Sequence, residues 1–75
     1  MSELRVINTF QDEIRVLFYK TCDIIRHSYC NYTIRIPADD ITCNINVKSI
    51  DDLAFKLNRL KQELGYIYHY RRLPI

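Results

Sequence analysis

Apolar and polar positions change period several times along the chain, and each change predicts an element. Residues 4–8 read Leu4-Arg5-Val6-Ile7-Asn8, short and rich in β-branched side chains. Asn8 and Thr9 follow as good N-cap residues, with Asp12 three positions after Thr9. A strand leading into a helix start is expected there. From Phe10, the positions Phe10, Ile14, Leu17, Phe18, Thr21 and Ile25 recur at three- and four-residue steps, which predicts a first helix over 9–27. Residues 32–36 and 41–48 alternate strictly, and Pro37-Ala38-Asp39-Asp40 supplies turn chemistry between them, so an antiparallel hairpin is expected. Ser49-Ile50-Asp51-Asp52 reads as a variant capping box. Ile50, Leu53, Ala54, Leu57, Leu60 and Leu64 then trace one stripe of a second helix, interrupted by Lys61, with Gly65 as its left-handed C-cap. Residues 66–72 alternate again as a last strand, and Pro74 ends it.

The predicted order is β-α-β-β-α-β, which with right-handed crossovers gives a ferredoxin-like split βαβ fold of the α+β class. Two helices would cover one face of a four-stranded antiparallel sheet. The competing reading makes residues 3–28 one long helix and gives α-β-β-α-β. In the first reading the strands bury Leu4, Val6, Tyr32, Ile34, Ile36, Ile41, Cys43, Ile45 and Val47. Burying His69 and Arg71 unpaired would be costly, so Tyr66, Tyr68 and Tyr70 are expected to point inward on the last strand. The open face would then carry Arg5, Arg35, Lys48, His69 and Arg71 among Asn, Thr and Ile side chains, with no carboxylate.

Composition narrows the function classes. Seventy-five residues are expected to form one domain, without room for a separate catalytic one. With 48% hydrophobic and 27% charged residues the balance is globular. A net charge of +2 excludes a strongly basic nucleic-acid binder, but the predicted helices are charge-balanced and the excess cations fall on the predicted strands. Three cysteines and no apolar leader point to a reducing compartment, so a cytoplasmic protein with no membrane segment is expected. Asn31-Tyr32-Thr33 matches a glycosylation acceptor that such a compartment would leave unused. Eleven Ile against two Ala and one Gly fit an AT-rich source such as a phage, a virus or a low-GC bacterium, whose host cytoplasm would be the site of action.

Candidate chemistry is sparse. Cys22, His27 and Cys30 lack the paired spacing of zinc knuckles, so packing and no metal are expected of them. One Gly in the whole chain leaves no phosphate-cradling loop or oxyanion loop, and neither an enzyme nor a cofactor is expected. RNA-recognition modules stack bases on aromatic residues of an open sheet. Residues 4–8 fit their first motif only loosely, with Arg5 in place of the stacking aromatic, and no membership follows. A cationic sheet face made of Arg5, Arg35, Lys48, His69 and Arg71 would still hold nucleic-acid phosphates or other anions. Phe55 breaks the amphipathic pattern of the second helix beside Arg59, and Tyr19 does the same on the first, so these three are the candidate contacts to a protein partner. The leading expectation is a small non-enzymatic protein-binding regulator that modulates or inhibits a host or cellular protein. The nucleic-acid-binding module is the alternative. A homodimer covering the open sheet is also expected, because so small a core is marginal.

Overall fold

Val6, Phe10 and Ile14 repeat at four-residue steps and are all buried along one side of the first helix, α1 (Glu3–Phe18). The structure is a computed structural model that describes residues 2–72, with side chains as far as residue 69. The strand expected over 4–8 is therefore helical. Ser2, not Thr9, is the N-cap: its Oγ accepts from the Arg5 N–H at 3.2 Å, and its carbonyl accepts from the Val6 N–H at 3.1 Å. Glu3 in the first turn suits the positive end of the helix dipole. The β preference of these residues is a weak local term, and burial of the Val6 face outweighs it. Leu4, expected in the core, points outward and is 67% exposed.

α1 also stops earlier than its periodicity suggests. Tyr19 adopts a left-handed conformation, φ 57°, and its N–H donates to the Arg15 carbonyl at 2.9 Å. The second half of the expected helix is instead β1 (Asp23–Ser28), an edge strand. β1 pairs antiparallel with β2 (Asn31–Ile36), which pairs antiparallel with β3 (Ile41–Asn46), giving the order β1-β2-β3. The hairpin between β2 and β3 is as expected, turning through Pro37–Asp39 and a left-handed Asp40. Its alternation also holds. Tyr32, Ile34 and Ile36 of the central strand are buried against the helices, and opposite them Ile45, Cys43 and Ile41 are half-buried.

The second helix, α2 (Ile50–Arg72), starts where the capping residues predict. Ser49 Oγ accepts from the Asp52 N–H at 3.1 Å, while the Asp52 carboxylate reaches back to the Lys48 N–H at 2.9 Å. It does not stop at Gly65 and runs on through the segment expected to be a fourth strand. Leu53, Leu57, Leu64 and Tyr68 form one continuous buried stripe, and the Tyr68 ring lies 4.9 Å from that of Phe18. Of the tyrosines expected to point inward, helical spacing buries Tyr68 and leaves Tyr66 exposed, where strand spacing would have buried both; the Tyr70 side chain lies outside the described residues. Contacts advance together along both helices, from Glu13 on Lys61 to Phe18 at Gly65 and Tyr68. The helices therefore run parallel, as three intervening antiparallel strands require.

The architecture is α-β-β-β-α, with both helices on one face of a three-stranded antiparallel sheet. This replaces the four-stranded β-α-β-β-α-β arrangement, and also the α-β-β-α-β alternative, since residues 3–28 divide between α1 and β1. Among the described residues, no helix is long and apolar enough to cross a membrane.

Candidate functional site

α2 has two sides of opposite character. Its buried stripe faces the sheet, while Phe55, Arg59, Gln62 and Tyr66, at steps of four, three and four, share the outward side and are all exposed. Phe55 is 62% exposed and Tyr66 69%, so two aromatic side chains stand in solvent about three turns apart with an Arg and a Gln between them. The helix is anchored independently of this face, by the core stripe and by two lysines. Lys56 bonds the Asn46 carbonyl and pairs with Asp52 at 3.3 Å, and Lys61 pairs with Glu13 of α1. Tyr19 is exposed as well, but it follows Phe18, which packs at the level of Gly65 and Tyr68. It therefore lies at the far end of α2 from Phe55. Of the three candidate contacts, Phe55 and Arg59 are brought together and Tyr19 is set apart. Tyr66 joins them; the strand expected over 66–72 would have turned it inward, and the helix turns it out.

The basic sheet face is not assembled. Of Arg5, Arg35, Lys48, His69 and Arg71, only Arg35 lies on the open face of the sheet, and its cross-strand neighbours there are Asp23 and Thr42. Arg5 belongs to α1, Lys48 follows β3, and His69 and Arg71 belong to α2, the Arg71 side chain lying outside the described residues. The cause is the same as for the fold: the two segments that were to bring Arg5, His69 and Arg71 to the sheet are helical. What the open face does hold is a polar hydrogen-bonded row across its three strands. Thr33 Oγ1 donates to Asn44 Oδ1 at 2.6 Å, so the contact at 2.6 Å between Thr33 Oγ1 and His27 Nε2 is donated by the imidazole. Thr33 is thereby buried although it points away from the helices.

The cysteines are dispersed. Cys22 is buried before β1, Cys43 is half-buried on β3, and Cys30 is exposed at the β1–β2 turn. Burial, with the Asp23 carboxylate adding to it, pushes the Cys22 thiol up to about 11. Among the described residues no group of three His, Cys, Asp or Glu side chains is placed to hold a metal ion.

Between α1 and α2, on the side away from the sheet, lies a half-open groove of about 530 Å³. At one end the Glu13–Lys61 ion pair bridges the helices. Comparison with protein families, curated proteins and solved structures finds no match to this chain.

Proposed function

We propose that the protein is a small non-enzymatic regulator that binds another protein through the outward face of α2 and modulates or inhibits it. The observation that carries this reading is the exposed Phe55–Arg59–Gln62–Tyr66 stripe on a helix whose opposite side holds the buried residues Leu53, Leu57, Leu64 and Tyr68. Aromatic and Arg side chains are enriched among the residues that carry interface energy: a ring buries a large area for few rotatable bonds, and a guanidinium offers a planar fork of donors that also stacks on rings. Single exposed apolar residues are ordinary, but two aromatics aligned on one stripe form an anchor pair. The Ile-rich, Ala-poor composition supports an AT-rich source, phage or viral, acting in the host cytoplasm.

Affinity capture from the source cells, with nuclease-treated and untreated extracts in parallel, tests the reading. The wild-type chain is expected to retain a specific protein in both extracts, and the Phe55→Ser, Tyr66→Ser double variant to lose it while keeping its circular dichroism and melting temperature. A partner that vanishes with nuclease treatment, or that survives the double variant, overturns it.

A further inference from the structure

The groove between α1 and α2 has the make-up of a small-molecule site, and it does not depend on the outward stripe of α2. Its floor is apolar: Val6, Phe10 and Leu57 are buried core residues, and half-buried Ala54 keeps the floor low where a longer side chain would fill it. Its rim is polar and sparse, with Arg5 and Thr9 on α1 facing Asn58 on α2. Parallel helices leave the groove about 12 Å long from Arg5 to Glu13, at 1.5 Å of rise per residue. A volume of about 530 Å³ with an apolar floor and a few polar rim groups is typical of sites for small ligands.

The charges distinguish the two ends. At one end Lys61 is committed to Glu13, so that end is electrically closed. At the other, Arg5 has no carboxylate partner among the described residues; its backbone N–H is held by Ser2, but its guanidinium is not engaged. A planar guanidinium is suited to holding a carboxylate by two parallel hydrogen bonds. We infer that this groove binds an apolar monocarboxylate of the fatty-acid or aryl-acid type, its hydrocarbon body along Val6, Phe10, Ala54 and Leu57 and its carboxylate on Arg5. Thr9 and Asn58 line the polar rim on either side of the groove, further along from Arg5.

Titration of the full chain with decanoate, kept below its aggregation concentration, and with 1-decanol as the uncharged analogue tests this by amide NMR shifts. Decanoate is expected to shift the amides of residues 5–13 and 54–61 and to leave those of β2 and β3 unmoved. Arg5→Gln is expected to weaken decanoate binding about tenfold and leave 1-decanol unchanged, because a charge-assisted bidentate contact is lost and the apolar floor is intact. Ala54→Leu, filling the floor, is expected to abolish both while circular dichroism shows the fold preserved. No shift at these residues up to the solubility limit overturns the proposal. So does an Arg5→Gln chain that binds decanoate as tightly as the wild type, and so do shifts confined to the sheet.

Discussion

Gly65 of α2 faces the ring of Phe18 on α1, and a Cβ added at Gly65 would stand 3.9 Å from Phe18 Cζ, an ordinary van der Waals contact. The glycine is helical, has no positive φ, and lies one turn before Tyr68, whose ring packs tilted against the same Phe18 ring. Its flexibility is therefore a cost with no turn to justify it. Gly65→Ala is expected to raise stability by about 0.5–1 kcal/mol, read from the urea midpoint at unchanged slope. A lower midpoint would mean that the helices approach too closely at Phe18 to admit a methyl group.

Phe55 and Leu57 lie two residues apart on α2 and on opposite sides of it, 62% and 2% exposed. Leu57→Ala should cost about 2–5 kcal/mol, the range for emptying a packed core site. Phe55→Ser should stay within about 0.5 kcal/mol, as surface changes usually do. Chemical denaturation of the two variants side by side checks the helical phase on which the proposed interface rests, and the reverse order of costs would refute it.

The parts of the fold legible in the sequence are those where pattern and burial coincide. Tyr32, Ile34 and Ile36 alternate because β2 is the central strand, packed by helices on one side only, and Ser49 with Asp52 marks the start of α2 by side-chain chemistry. β1 left no such trace. As an edge strand it turns Ile24 and Arg26 toward the helices and only Ile24 is even half-buried, its adjacent Ile25 lies on the open face, and Thr21 and Ile25 fall by coincidence on the helical stripe of Phe10, Ile14 and Phe18. At 66–72 the alternation of Tyr with other residues is compatible with either period. Only the Phe18 ring, distant in sequence, selects the helix that buries Tyr68 and exposes Tyr66. Phe55 and Arg59 share an exposed helix face as expected because the start and stripe of α2 are legible; the cationic sheet face does not assemble because two of its expected strands are helical.

Asp52 closes the start of α2, and the Lys48 N–H, followed by the Lys56 ammonium, holds its carboxyl below the ordinary value of 3.8. A carboxyl depressed in the folded state stabilises the fold above that ordinary value and loses its contribution as pH falls through 3.8 toward the folded value. Asp52→Asn is therefore expected to be less stable than the wild type at neutral pH, with the gap narrowing once the pH drops below about 4. Melting temperatures of both chains across this range decide it. A gap that stays constant into acid would assign the effect to packing rather than to the charge.

Cys22 and Cys30 are expected to differ sharply in reactivity, since thiolate is the reacting form and one thiol is buried while the other is exposed. With its thiol pushed up to about 11 by burial, Cys22 is protonated throughout the physiological range. Iodoacetamide at pH 8 should label Cys30 first and Cys22 last, at a rate set by opening of the structure, as mass spectrometry of timed aliquots would record. The sign of the pH effect follows from the raised value. Stability linked to Cys22 is fully present below its ordinary 9.0 and is lost as pH climbs toward 11. A Cys22→Ala chain should therefore lose less stability over that interval than the wild type does. Equal labelling rates for the two cysteines would contradict the packing of Cys22 beneath α1, where the Gln11 amide holds its carbonyl at 3.0 Å.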